Sequence, residues 1–251
     1  MNQIKYFHSE EIHNIKSAEI VVSIILEFFK PKSVLDVGCG IGTWLNVFSR
    51  YGIDDLLGID GDFVDKNLLY KYINKEQFKP LDLEKSFYLE RKFDLILSLE
   101  VAEHLSKSSA NDYVDSICRH SDVVIFSAAV PGQGGQNHLN EQWPSYWAEK
   151  FAKNGYVFLD QIRPLIWDNP LIEFWYKQNI FLVVRENSEL SKRYSNSHLS
   201  MIHPDLFSNI HNENILLKEK IERYKYKEHQ LINGKLSFWV YIKLIFKKIF
   251  P

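Results

Sequence analysis

From Ser33 to Glu186 the chain alternates short, mostly apolar runs with longer stretches whose apolar residues recur at helical spacing. The runs are "SVLDVGC", "DLLGID", "FKPLDL", "FDLILSLE", "DVVIFSAAVP", "YVFLDQIRP" and "NIFLVVRE". Between them lie "IGTWLNVFSRYG", "FVDKNLLYKYI", "SANDYVDSICRH" and "PSYWAEKFAKNG", the last with Pro144 suited to a first helical turn. Strands alternating with helices favour parallel pairing, in which both faces of the sheet are covered. The pattern therefore predicts an α/β fold: a doubly wound, Rossmann-like, mostly parallel seven-stranded sheet with helices on both faces, closed by an antiparallel pair. A further helix, from about residue 9 to residue 29, is read in "SEEIHNIKSAEIVVSIILEFF".

After about residue 187 the composition turns polar, then highly charged, and "KLSFWVYIKLIFKKIF" ends the chain. This divides it into a domain over residues 1–187 and a helical C-terminal appendage over 188–251. The formal net charge of −2 gives no global basic field, which argues against a DNA partner. Two cysteines, Cys39 and Cys118, are too few for a disulfide framework. With no apolar leader and no long uncharged apolar run, a cytoplasmic location is expected. The terminal segment from Lys235 to Phe250 gathers Phe238, Trp239, Ile242, Ile245, Phe246 and Ile249 on one broad helical face, with Lys243 and Lys247 opposite. Such a face suits either packing in a homodimer or on the domain, or peripheral contact with the inner membrane.

"LDVGCGIG" places Asp36, Gly38, Cys39, Gly40 and Gly42 in a tight turn leaving the first strand, at the sheet edge where ligands bind in such folds. A dinucleotide site is disfavoured. Thr43 stands where a third glycine would fall, and Asp36 would repel a pyrophosphate while suiting a cationic or zwitterionic ligand. Asp60, followed by Gly61, ends the second strand where a carboxylate can bond ribose hydroxyls, and Asp82 ends the third. With these strand ends in order, the chain resembles the class I S-adenosylmethionine-dependent methyltransferases over roughly residues 30 to 187. The resemblance implies that the loop from Asp36 to Gly42 holds the methionine part of the cofactor. It likewise implies that Asp60 with Gly61 holds the ribose, that Asp82 and Leu83 contact the adenine, and that Leu99 borders the site. "SVLDVGCGIGTWL", "LLGIDGD" and "SAAVPGQGGQNHLNEQWPSYW" also resemble methyltransferases encoded with bacterial capsule and lipopolysaccharide genes.

"LEVAEHL" follows the fourth strand and delivers Glu100, Glu103 and His104 beside the expected methyl group. On a helical turn Glu100 would share a face with Glu103 and His104. An acidic helix start alone accounts for any one of these residues. As a set, E-x-x-E-H resembles the metal segment of ubiquinone-pathway O-methyltransferases and of small-RNA 2′-O-methyltransferases, and His138 past the fifth strand supplies a second imidazole. Glu100, Glu103, His104 and His138 are thus expected metal ligands for a divalent cation, Mg²⁺ or Mn²⁺ foremost with Fe²⁺ or Zn²⁺ also suited, which would activate an acceptor hydroxyl. The alternative without metal makes His104 or His138 a general base oriented by Glu103.

The reading that follows is an O-methyltransferase acting on a hydroxyl of a sugar or nucleotide-activated sugar in surface polysaccharide biosynthesis. Two alternatives stand beside it: a small-RNA 3′-end 2′-O-methyltransferase, which the near-neutral charge disfavours, and a non-catalytic binding module on the same fold.

Overall fold

The structure, a computed structural model, describes residues 15–194 and 200–233 together with Glu10 and Ile242. Among the described residues there is one seven-stranded sheet in the order β3-β2-β1-β4-β5-β7-β6. The strands are β1 (Ser33–Val37), β2 (Asp55–Asp60), β3 (Phe78–Pro80), β4 (Leu95–Leu99), β5 (Val123–Ser127), β6 (Tyr156–Leu159) and β7 (Phe181–Arg185). The first five run parallel. β7 is antiparallel to both β5 and β6, as the closing pair was expected to be.

The order reverses between β1 and β4, so the crevice beyond their carboxyl ends is where such a sheet binds ligands. Asp36 is paired with Gly58 on one side and Leu97 on the other, one residue short of the strand end. β1 and β4 are buried along their whole length. Their side chains alternate between two apolar layers: Val34, Leu95 and Leu97 face one, Leu35, Val37 and Ile96 the other. The first layer is closed by α1 (Lys16–Phe28) and α2 (Thr43–Arg50), through Val21, Val22, Ile25, Leu45 and Phe48. The second is closed by α4 (Ala110–His120) and α5 (Pro144–Lys153), through Val114, Ile117, Trp147 and Phe151. Pro144 does sit in the first turn of α5.

Three local expectations are corrected. The helix read from residue 9 begins at Lys16, with no side-chain cap; residues 11–14 lie outside the described ones. The helical reading of "FVDKNLLYKYI" shrinks to α3 (Lys66–Leu69), where Asp65 caps Asn67, and a 3₁₀ turn at Lys75–Gln77 follows. β3 stops at Pro80, so Asp82 lies past the strand rather than at its end. The short helices α6 (Arg163–Ile166) and α7 (Phe174–Asn179) connect β6 to β7.

Two compact units divide the chain, residues 1–206 and residues 207–251. In the first, α8 (Glu189–Arg193) follows β7, and Leu206 is buried. The described part of the second is helical, within α9 (Pro204–Ile232), and exposes Leu216, Leu217, Tyr224 and Tyr226. Apart from Ile242, the apolar tail from Lys235 to Phe250 lies outside the described residues. Among the described residues no helix is long and apolar enough to cross a membrane.

Candidate active site at the carboxyl edge of the sheet

The loop leaving β1 is held by β2. The N–H groups of Gly38 and Cys39 donate to the Ile59 carbonyl at 2.7 and 3.2 Å, and Gly42 closes the turn onto the Cys39 carbonyl at 2.9 Å. Gly38 has φ +81°, and a Cβ on it would fall 2.4 Å from Val101 Cγ2, so the loops after β1 and β4 touch through a position only glycine fills. Asp60 ties the loop to β2: Oδ2 accepts from Gly40 N–H at 2.8 Å and Oδ1 from Gly61 N–H at 2.6 Å. Burial pushes the Asp60 carboxyl up to about 6 despite these donors.

Asp36 is 3% exposed and its Oδ2 has no hydrogen-bond partner. Burial, reinforced by the charge of Asp60, pushes its carboxyl up to about 8. An orphaned buried carboxylate of this kind fits a cationic ligand group, and the glycine turn leaves room for it. Leu83, three residues past β3, and Leu99, the last residue of β4, are buried, and burial pushes the Cys39 thiol up. Asp82 is half-exposed, bonded by Lys85 Nζ at 3.0 Å and by the Glu84 N–H at 3.2 Å, and the lysine lowers its pKa.

After β4 the chain does not enter a helix. Glu100 has φ +55°, and a single 3₁₀ turn covers Ala102–His104. The expected helical face shared by Glu100, Glu103 and His104 is therefore absent, because the left-handed residue breaks the helical phase. The Glu100 backbone is fixed by β5 instead: its N–H donates to the Ser127 carbonyl at 3.1 Å and to Ser127 Oγ at 3.0 Å. Its carboxylate accepts from Asn179 Nδ2 at 3.0 and 3.1 Å and from Gln133 Nε2 at 2.8 Å.

Three of the four expected metal ligands converge. Glu103, His104 and His138 each offer a donor atom, all within 4.8 Å of one another. Glu103 is fully buried, and neither carboxylate oxygen has a well-formed hydrogen bond. Burial and the neighbouring charge of Glu100 hold its pKa well above the carboxylate range; Glu100 is itself raised by burial. Glu100 is not in the three-residue set, though it lies close enough to influence it electrostatically. A mixed set of one carboxylate and two imidazoles fits a first-row divalent ion, and the orphaned oxygens of Glu103 are what such an ion would satisfy.

His138 is delivered by the loop after β5, which is bound back onto the β4 turn. The N–H groups of Leu139 and Asn140 both donate to the Glu103 carbonyl, at 2.8 and 2.9 Å. Glu141 then organises the loop: its oxygens accept from Gly132 N–H at 2.7 Å and Gly134 N–H at 2.8 Å, and Oε1 meets His138 Nδ1 at 2.8 Å. A carboxylate on one imidazole nitrogen presents the other as a ligand or base. Sequence reasoning missed Glu141, Gln133, Asn179 and Ser127. The three-residue spacing of His138 and Glu141 is the one signal that points to any of them.

A family model described as a methyltransferase domain matches residues 13–199. Among solved structures, the sugar N-methyltransferase KedS8 from Streptoalloteichus sp. superposes with a TM-score of 0.54 at 14% identity, covering 74% of this chain and 98% of that one. An S-adenosylmethionine-dependent methyltransferase from Clostridium acetobutylicum gives 0.50 at 13% identity, covering 68% and 91%. Human N-acetylserotonin methyltransferase gives 0.48 at 15%, covering 70% of this chain; the chain spans only about half of that protein, 53%. The reversed strand order around β1 and β4, the glycine turn beneath their carboxyl ends and a family match over well over half the chain lead to one conclusion: the protein belongs to the methyltransferase-domain family and has the S-adenosylmethionine-dependent methyltransferase fold.

Proposed function

We propose that the protein is an S-adenosylmethionine-dependent O-methyltransferase, assisted by a divalent cation, that methylates a hydroxyl of a sugar or nucleotide-activated sugar. The observation that carries the metal reading is the fully buried Glu103 carboxylate, without a well-formed hydrogen bond and within 4.8 Å of nitrogens on His104 and His138. Glu103, His104 and His138 would hold a divalent ion, which would supply Lewis acidity toward an acceptor hydroxyl. Mg²⁺ or Mn²⁺ suits an oxygen acceptor. The residues do the rest: the two imidazoles and Glu103 fix one point in the crevice, and the loop after β5 closes over it.

For the cofactor, Asp36 provides the buried negative charge opposite the ammonium of the methionine part. The turn from Gly38 through Cys39 and Gly40 to Gly42 gives close backbone approach. Asp60, with Gly61, faces the ribose hydroxyls, Asp82 and Leu83 take the adenine, and Leu99 borders the transferring methyl.

A sugar acceptor is supported by the hydroxyl-bonding side chains of the loop "PGQGGQNHLNEQW", and its place in bacterial surface polysaccharide synthesis by the resemblance noted above. We assign this activity to the domain over residues 1–187, in the cytoplasm, with 188–251 as an appendage for subunit or inner-membrane contact. One observation favours a second reading. Glu141 at 2.8 Å from His138 Nδ1 is also the arrangement of an oriented general base.

Mass spectrometry of nucleotide sugars incubated with the enzyme and S-adenosylmethionine tests both readings. Chelation should abolish a mass gain of one methylene, and Mg²⁺ or Mn²⁺ should restore it. Full activity after exhaustive chelation would transfer the role to His138 as base.

A further inference from the structure

We propose that Glu100, Gln133 and Asn179 form the acceptor subsite of this centre, a clamp for sugar hydroxyls beside the Glu103, His104 and His138 set. The inference deepens the methyltransferase reading and rests on it.

Three elements supply the clamp: the turn after β4, the loop after β5, and the last residue of α7 before β7. Asn179 Nδ2 reaches both oxygens of Glu100 and also Gln133 Oε1 at 2.8 Å, while Gln133 Nε2 reaches Glu100 Oε2. A carboxylate flanked this way fixes the orientation of the asparagine amide, since only the nitrogen can donate. Its other end is then determined. Asn179 is 2% exposed, and its Oδ1 is buried with no donor. A buried acceptor left unmet is the mark of a missing partner that donates.

Glu100 and Gln133, in contrast, are only partly buried, so the clamp opens to solvent on their side. The backbone of Glu100 is kept at φ +55°, a conformation unusual for this residue type, by two hydrogen bonds to Ser127. Left-handed non-glycine residues held by their surroundings cluster at ligand sites. Here the effect is to turn the carboxylate away from the helical phase and toward the two amides.

The chemistry selects the ligand. Glu100 and Asn179 retain acceptor capacity, and the second hydrogen on Gln133 Nε2 remains to donate. A hydroxyl, which both donates and accepts, matches this set. An ammonium group only donates, and it would leave the second hydrogen of Gln133 Nε2 without an acceptor. Glu100 lies on the same turn after β4 as Glu103 and His104, and Gln133 on the same loop as His138, so the clamp and the three-residue set are neighbours. An acceptor bound through one hydroxyl in the clamp can present another to Glu103, His104 and His138.

Saturation-transfer NMR on the full chain loaded with S-adenosylhomocysteine tests this, using UDP-glucose and methyl α-D-glucopyranoside as probes. Calorimetric titrations of Mn²⁺ and S-adenosylhomocysteine run in parallel. Wild type should transfer saturation to the glucose-ring protons of both probes. Glu100→Gln and Gln133→Ala should weaken this about 10-fold or more, as expected for hydrogen bonds to a charged group. Both variants should bind S-adenosylhomocysteine as wild type does, and Gln133→Ala should also keep wild-type Mn²⁺ affinity. Gln133 lies in a surface loop, so its variant keeps the test valid should Glu100→Gln fail to fold. Sugar signals unchanged by both variants, transfer confined to uridine protons, or no transfer from wild type would each overturn the subsite. A loss of Mn²⁺ affinity in Glu100→Gln as large as that in Glu103→Gln would also overturn it, by making Glu100 a metal ligand. Sugar binding that responds to the variants in a protein with no Mn²⁺ affinity would uphold the clamp and refute the metal. Wild type that fails to bind S-adenosylhomocysteine would refute the methyltransferase reading, and the subsite with it.

Discussion

The imidazoles of His104 and His138 meet edge to face, their centroids 4.8 Å apart and their planes at 82°. The first comes from the turn after β4 and the second from the loop after β5, so neither element alone makes the pair. In this crossing one nitrogen of each ring and a Glu103 oxygen lie within 4.8 Å of one another.

His138 depends on Glu141 for its orientation. Replacing Glu141 by Ala removes the partner of Nδ1 and strands the Gly132 and Gly134 N–H groups. Mn²⁺ affinity should fall by about 10- to 100-fold, the usual cost of losing such an outer partner. Glu141→Gln retains an acceptor and should lose less. Calorimetry on the two variants decides it, and equal, unchanged affinities would remove Glu141 from this role.

Asp36 should set a pH dependence of stability in the cofactor-free protein. An unfolded aspartate titrates near 3.9, whereas burial raises the folded group to about 8. Between these values the folded protein holds a proton that the unfolded chain has released. Stability is therefore eroded as pH rises from about 4 to about 8, at up to about 1.4 kcal/mol per unit from this group. Asp36→Asn has no proton to lose. Its melting temperature should exceed wild type by more at pH 8 than at pH 5, while S-adenosylmethionine binding is lost. A gap independent of pH would show that Asp36 does not titrate in this range.

Asp60 carries two tasks, tying Gly40 to Gly61 and facing the ribose. Asp60→Ala should lower S-adenosylhomocysteine affinity by about 10- to 100-fold, the scale of hydrogen bonds to a charged group. Calorimetry that finds unchanged affinity would remove Asp60 from the cofactor site.

Gly38 and Gly52 share φ +81° yet differ in their surroundings. A Cβ at Gly52 meets nothing within 4 Å, whereas at Gly38 it meets Val101 at 2.4 Å. Gly52→Ala should cost about 1–2 kcal/mol from the backbone alone. Gly38→Ala adds overpacking of about 1–3 kcal/mol. Denaturant midpoints should separate the two variants, and a Val101→Ala background should narrow the difference.

The parallel sheet was legible because its buried central strands read as short, mostly apolar runs, and Asp36 and Asp60 because they are acids at or next to the ends of such runs. The glycine turn was legible for the same reason. Less was legible where a single residue overrides periodicity. Glu100 was read on a helical turn, and its left-handed backbone follows from hydrogen bonds to Ser127 on the next strand, which no local pattern encodes. The length of the helix after β2 was overread because apolar Leu69 and Ile73 are buried in successive turns rather than along one helix. Asn179 could not be found from sequence: it reaches Glu100 only because β7 inserts between β5 and β6.

Glu103 is anchored at one end and chemically presented at the other. Its main-chain carbonyl receives Leu139 and Asn140, while its side chain faces the imidazoles. Architecture and reactivity therefore reside in different atoms of one residue, and side-chain replacement alters only the second. Glu103→Gln can report on ligation with the incoming loop still latched. The amide protons of Leu139 and Asn140, followed by hydrogen exchange, give a gauge of that latch that is independent of turnover.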